Sequence, residues 1–251
     1  MKLVVTGASS GIGRAIALAC ARRGDRVVAS ARSEDALRAL AREAPDEKAI
    51  EICAGDVTRE SDRARLIEFA QRDGAFDVLV NNAGRGYYAA LRDVDVAELE
   101  ALFALNVIAP LRLAQLALPA LEKTRGAIVM MSSVAGVVSS PKLGAYSASK
   151  FALEAIAIAL RAELADKHVA VVVIRPGPVD TPFRANAVTR ETEAGVRPPG
   201  SRAQSAERIA QYTLSAIDHR TAVVETSAFV RVASFGARVV PPIFRAAIRR
   251  M

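Results

Sequence analysis

The sequence predicts a doubly wound α/β fold, with a seven-stranded parallel sheet flanked by helices on both faces. Three observations carry that expectation. Short runs rich in Val and Ile, at about 2–6, 26–30, 49–53, 76–81, 126–132, 169–175 and 221–225, alternate with stretches of helical periodicity, as in repeated strand–helix–strand units. The runs show little polar alternation, as expected of strands covered on both sides. A chain of 251 residues with 51% hydrophobic composition buries one large core without a second domain. Residues 1–226 are read as that domain, and 227–251 as a basic amphipathic C-terminal extension of it.

The first run, Lys2 to Thr6, leads directly into Gly7-Ala8-Ser9-Ser10-Gly11-Ile12-Gly13. A strong helix former follows, Arg14 to Ala21, with apolar residues at helical spacing. Strand, glycine turn and helix form the context of a dinucleotide-binding site. The glycines let backbone approach a pyrophosphate, and the helix N-terminus offers free N–H groups and a positive dipole end. The spacing is G-x-x-x-G-x-G and not the more common G-x-G-x-x-G, and a purely structural turn is the alternative.

The second run, Arg26 to Ser30, ends at Ala31-Arg32, and no acid appears until Glu34. After the third run comes Gly55-Asp56-Val57, where Asp56 suits a helix N-cap near Arg59. The fourth run, Phe76 to Val80, closes with Asn81-Asn82-Ala83-Gly84. That stretch combines side chains that bond backbone with a residue tolerant of positive φ. Asn106 follows the apolar helical run Leu102 to Leu105, where a helix kink or C-cap is the plain reading. The fifth run ends at Met130-Met131-Ser132-Ser133.

Thirteen residues beyond Ser133 stands Tyr146, with Lys150 four residues further on. Residues four apart on a helix share a face, so a phenol and an ammonium are aimed into one site. A free tyrosine, with a pKa of about 10, is a poor proton catalyst at neutral pH. A nearby cation lowers that value towards a useful range. Tyrosine, lysine and serine together suit proton transfer to or from a carbonyl or alcohol oxygen, and the glycine turn provides the place for a reductant.

Taken with Arg175-Pro176-Gly177-Pro178-Val179-Asp180-Thr181, these motifs run in one order. In that order the chain resembles the short-chain dehydrogenase/reductase family, from about residue 2 to about residue 225. The resemblance implies a Rossmann-type fold and NAD(P)(H)-dependent oxidoreduction. It implies that Tyr146 is proton donor or acceptor, and that Lys150 lowers its pKa and bonds the nicotinamide ribose. It implies that Ser133 polarises the substrate oxygen, while Asn106 positions a water linking Lys150 to solvent. The cofactor would lie against Gly7, Ser9, Ser10, Gly11, Ile12 and Gly13. Asp56 and Val57 would meet the adenine, and Asn82, Ala83 and Gly84 would line its ribose side. Pro176, Gly177, Val179 and Thr181 would wrap the nicotinamide.

Cofactor choice is a question of charge. An acid at the end of the second strand would accept from a ribose 2′-hydroxyl and repel a 2′-phosphate. Arg32 stands there instead, and its planar fork suits a phosphate. NADP(H) is the expected cofactor, with NAD(H) possible, since Ser10 occupies the place where some relatives carry a second basic residue. Ser30 and Ser33 are candidate extra donors.

The chain opens directly into the first strand and has no uncharged apolar stretch of eighteen or more residues, so neither signal peptide nor membrane span is expected. Cys20 and Cys53 read as reduced core thiols in a cytoplasmic protein. No metal site is expected, and His168 and His219 are assigned no chemistry. Net charge is +7, but 227–251 holds Arg231, Arg238, Arg245, Arg249 and Arg250 and no acid, leaving +2 for the rest. That distribution, without a nucleic-acid motif, argues against nucleic-acid binding.

After the last strand the resemblance ends, where relatives often carry a glycine-rich segment that builds a tetramer. Pro241-Pro242 divides the tail into two short amphipathic segments. They would cover the substrate pocket, anchor on an anionic membrane surface or meet a partner. A homodimer through helices around 100–120 and 146–166 is expected. Residues 182–204 form a long polar loop, of the kind that is usually functional. With Tyr87, Tyr88, Val134, Leu143 and Phe183 it would shape an apolar pocket for a lipophilic or aromatic carbonyl or alcohol. Arg184, Arg190 and Arg197 favour an anionic substrate instead. The expected reaction is hydride transfer between NADP(H) and a carbonyl or secondary alcohol. NAD-dependent alcohol oxidation and a non-catalytic NADP(H)-binding sensor are the alternatives.

Overall fold

The computed structural model describes residues 1–46, 48–189 and 203–239. In chain order these form β1 (Lys2–Thr6), α1 (Gly11–Arg22), β2 (Arg26–Ser30), α2 (Glu34–Arg42), β3 (Ile50–Ile52), α3 (Glu60–Gln71) and β4 (Val78–Asn81). There follow β5 (Tyr87–Tyr88), α4 (Val96–Phe103), α5 (Ala109–Thr124), β6 (Ala127–Met131), α6 (Gly144–Glu163) and β7 (Ala170–Arg175). Last come β8 (Val188–Thr189), α7 (Ala206–Asp218), β9 (Val223–Glu225) and α8 (Ala228–Val239).

Seven strands form one parallel sheet in the order β3-β2-β1-β4-β6-β7-β9. Strand order reverses between β1 and β4, the crevice where open α/β sheets bind ligands. Each expected strand is present within a few residues of its expected bounds. The core strands are buried along their whole length, as their unbroken Val/Ile character requires. One apolar layer joins α1, α2 and α7 to the sheet, and the opposite layer joins α3, α5 and α6.

Two features were not foreseen. The segment Val96–Thr124 is helical but not uniform, because Ala104–Ile108 forms a π turn between α4 and α5. A second, two-stranded sheet pairs β5 with β8 in parallel, Tyr87 opposite Val188 and Tyr88 opposite Thr189. Of these two strands, β8 lies inside the expected loop 182–204. Arg190, Arg197 and Pro198-Pro199-Gly200 lie outside the described residues, as do Pro241-Pro242 and the second expected tail segment with Arg245, Arg249 and Arg250. The first tail segment is α8, which packs against β9 and the turn Val134–Gly136.

Candidate active site

At the end of β1 the chain turns through Gly7 and Gly11, with φ of 64° and 52°, a region glycine enters without steric penalty. Gly13 is small for another reason. A Cβ there would lie 2.4 Å from both the Gly7 carbonyl oxygen and Asn82 Nδ2. Ser10 precedes α1 in extended conformation, its side chain caps nothing, and the first turn holds no acid. The helix therefore presents uncapped N–H donors and a positive dipole end, the chemistry an anionic diphosphate requires. Ser10 is exposed, and Ser9, Gly11 and Ile12 are half-buried around this opening.

The end of β4 clamps that turn. Asn82 Nδ2 donates to the Thr6 and Gly7 carbonyls at 2.9 and 3.2 Å. The Asn82 and Ala83 N–H groups both donate to Thr6 Oγ1, at 3.0 and 3.1 Å. From the other side, Thr181 comes across the opening, since a Cβ on Gly11 would stand 3.1 Å from its side chain. Of the residues that follow β7, Thr181 thus reaches the glycine turn, whereas a Cβ on Gly177 would meet Val230 and Ser227.

Beyond β2 the side chain of Arg32 is exposed. Ser30 is buried, and Ser33 caps α2 by accepting the Ala36 N–H at 3.3 Å. Ser30 is thus no open donor, which corrects that expectation, whereas Ser33 is exposed and keeps its own O–H free to donate. Asp56 does not cap α3, whose N-cap is Arg59. Its Oδ1 accepts from the Thr58 N–H and hydroxyl at 2.9 and 2.7 Å. Burial opposes its charge, but the Thr58 bonds with Arg32 and Arg59 nearby outweigh this and hold the carboxyl below its ordinary value. Val57 is buried beside it.

Ser133 lies two residues past β6 and caps the turn Val134–Gly136, and Tyr146 and Lys150 rise from the first turns of α6. The Ser133 hydroxyl lies close enough to the Tyr146 phenol to favour its charged form, and its oxygen accepts the Ala135 N–H at 3.1 Å. Phe183 packs against the phenol ring at 5.9 Å between centroids, tilted by 58°. Burial pushes the Tyr146 phenol above its usual value, and the nearby Ser133 hydroxyl opposes that only in part. The expected lowering by Lys150 is absent, because desolvation is the larger effect and the ammonium is turned elsewhere. Lys150 Nζ donates to the Met131 carbonyl at 2.9 Å and lies 5.9 Å from the Tyr146 ring centroid. Burial lowers the Lys150 pKa to about 8, although Glu154 one turn on acts in the opposite sense.

The π turn puts Asn106 on the inside. Its Oδ1 accepts the Arg85 N–H at 3.0 Å, and its Nδ2 donates to the Arg85 carbonyl and Ser149 Oγ at 3.0 and 3.1 Å. Ser149 passes the link on by donating to the Tyr146 carbonyl at 2.7 Å. Gly84 sits between Asn106 and the lysine: a Cβ there would lie 3.1 Å from Asn106 Oδ1 and 3.6 Å from Lys150 Nζ.

Of the expected pocket residues, Tyr88 faces the site, with the Arg184 guanidinium 5.5 Å from its ring centroid. Tyr87 does not. It is fully buried with Leu102 and Ala145, and its hydroxyl accepts the Asp95 N–H at 2.9 Å. Successive strand residues point to opposite faces, so only one of the pair enters the pocket. Sequence reasoning also missed an ion cluster beneath the site. Arg175 clasps Glu154 through Nε and Nη2, both at 2.9 Å, and reaches Glu225 at 3.1 Å. The signal was available, because Glu154 lies four residues after Lys150 on the same helix face.

An anion-receptive turn facing a buried proton-donor group across a doubly wound sheet defines a nicotinamide-dependent oxidoreductase. The comparisons make the family definite. The sequence model of the short chain dehydrogenase family matches residues 2–192. The Escherichia coli K12 oxidoreductase YbbO is 37% identical over 199 residues, covering 79% of this chain and 73% of that protein. A short-chain dehydrogenase structure from Streptomyces avermitilis superposes with a TM-score of 0.86 at 30% identity, covering 99% and 94% of the two chains. A Sphingobium yanoikuyae short-chain dehydrogenase in complex with NADPH superposes at 0.81, with 28% identity over 100% and 96%. This chain belongs to the short-chain dehydrogenase family and is an NAD(P)-dependent oxidoreductase of the type that acts on CH–OH groups.

Proposed function

We propose that this enzyme is an NADP(H)-dependent reductase of lipophilic or aromatic carbonyls, working in reverse on secondary alcohols. The observation that carries the reading is the buried Tyr146 phenol, with Ser133 close to it and the Lys150 ammonium 5.9 Å from its ring centroid. The nicotinamide, when bound, supplies or accepts the hydride. The α1 N-terminus and glycine turn suit its diphosphate, and Thr181 and Val179 suit the carboxamide side. Arg32 suits a 2′-phosphate, and the NADPH complex of the Sphingobium relative supports that choice.

Ser133 donates to the substrate oxygen and fixes it beside the phenol. Tyr146 gives that oxygen its proton as negative charge develops there, which is where stabilisation accelerates the reaction. A phenol held above its usual value is a reluctant acid, so the phenolate left behind needs a cation. Lys150, charged at neutral pH with a pKa of about 8, provides it. Asn106 holds the Arg85 backbone and Ser149, and so fixes the first turn of α6 from which Tyr146 projects. Tyr88 and Phe183 give the pocket its apolar walls. Phe151 and Ile158 lie exposed on α6, with Ile108 exposed beside α5, and a homodimer would cover them.

The test is Tyr146→Phe, followed by NADPH oxidation over a carbonyl panel and by NADPH fluorescence on binding. Turnover should fall by about 10²–10⁴-fold, the usual contribution of a positioned acid, while cofactor affinity holds. Turnover within a few-fold of wild type would remove Tyr146 from the chemistry. If no carbonyl is reduced by wild type although NADPH binds tightly, the sensor reading takes over.

A further inference from the structure

α8 is inside out. A helix on the surface of a water-soluble protein turns its polar face outward, as α7 does with Glu207, Arg208, Gln211, Ser215 and Asp218 exposed. In α8 the inward face is Val230, Ala233 and Ser234, all buried. The outward face is Val232, Phe235 and Val239, which are 71, 65 and 59% exposed, with Ala228 in line at i, i+4, i+7 and i+11. Their spacing puts these four on one stripe. Arg231, also exposed, stands beside it.

The charge of the segment indicates what covers this face. Residues 227–251 hold five arginines and neither Asp nor Glu, and the sequence after Val239 continues with Ile243, Phe244 and Ile248 among Arg245, Arg249 and Arg250. A second copy meeting the same face across a two-fold axis would set arginine against arginine, with no acid in the segment to pair. An anionic bilayer supplies what both halves of the pattern lack, apolar volume for Val and Phe and negative headgroups for arginine.

We infer that the outer face of α8 docks on an anionic phospholipid surface, so that the enzyme draws its substrate from the bilayer. The helix is placed for this. It packs against the turn Val134–Gly136 that follows Ser133. Val230 and Phe229 lie 3.2 and 4.0 Å from where a Cβ on Gly177 would stand. The helix that carries the docking face therefore packs its opposite side on the loop after β7, and the substrate class is a lipophilic carbonyl or alcohol resident in the membrane. That last step rests on the proposed reductase activity; the docking does not.

The experiment is co-sedimentation of the full chain with vesicles of equimolar phosphatidylglycerol and phosphatidylcholine, against phosphatidylcholine alone. Phe235→Ser and Val232→Ser are run alongside, with thermal unfolding to check that these solvent-facing changes leave the fold intact. Wild type should pellet with the anionic vesicles, less so in raised salt. Each variant should partition less, on the order of tenfold for the phenylalanine. Equal sedimentation on both vesicle types, or binding unchanged by Phe235→Ser, overturns the proposal. So does loss of a dimer in Phe235→Ser by light scattering without any vesicle binding, which would assign the face to a second copy. Sedimentation needs neither cofactor nor turnover, so failure of the reductase reading and failure of docking are separately visible.

Discussion

Lys150→Met should make this protein more stable at neutral pH while destroying its activity. The reasoning starts from the lysine's burial. Its ammonium is withdrawn from water and its pKa falls from 10.5 to about 8. For a cation whose folded value lies below its unfolded value, the unfolded chain binds the proton more tightly. The contribution is then a penalty, fully present below about pH 8 and gone above 10.5. At pH 7 it amounts to about 3 kcal/mol. Methionine keeps the apolar stem and sheds the charge. It also gives up the bond to the Met131 carbonyl, a loss of about 1 kcal/mol. The balance favours the variant by about 2 kcal/mol, or roughly 4–8 °C in melting temperature for a chain of this size. The gap must close with pH, because wild type recovers about 2 kcal/mol by pH of about 9.5 as the lysine deprotonates. Calorimetry of both cofactor-free proteins at the two pH values measures it. A variant that melts lower at neutral pH, or a gap that does not narrow on raising pH, refutes the reasoning.

Three other outcomes follow from the same structure. Gly13→Ala would force a Cβ to 2.4 Å from the Gly7 carbonyl oxygen; overpacking of about 1–3 kcal/mol should open the turn, seen as weakened NADPH binding by fluorescence titration. Glu154→Leu leaves the buried Arg175 guanidinium with Glu225 as its remaining ion-pair partner; urea denaturation should register a loss of about 3–5 kcal/mol, much of it regained in the double variant with Arg175→Met. Arg32→Ala should cut the preference for NADPH over NADH by about tenfold or more, as expected for loss of a charge-assisted phosphate contact; an unchanged ratio in parallel titrations would assign cofactor choice elsewhere.

The layered fold was legible because its signals are local. Unbroken Val/Ile runs such as Val27 to Ala29 mark strands covered on both faces, and a strand running into Gly7 to Gly13 before an alanine-rich helix allows few other structures. Tyr146 and Lys150 were legible as a pair because four residues on a helix fix a shared face. The π turn was not. Asn106 after an apolar run allowed a kink or a C-cap without saying which, and the π turn becomes visible only when Asn106 meets Arg85 and Ser149, 21 and 43 residues away in sequence. Tyr87 and Tyr88 looked equivalent until the pairing of β5 with β8 fixed which one faced the pocket.

The sequence by itself determined the sheet, its helices and the residue types gathered at its strand ends, since periodicity, glycine spacing and turn chemistry act over a few neighbouring residues. Tertiary structure alone decided the electrostatics. Lys150 turns to Met131, burial raises the Tyr146 phenol instead of the lysine lowering it, Arg175 locks Glu154, and α8 turns its apolar face to solvent. Desolvation and charge pairing depend on what packs around a group from distant parts of the chain, and that information exists only once the layers have closed.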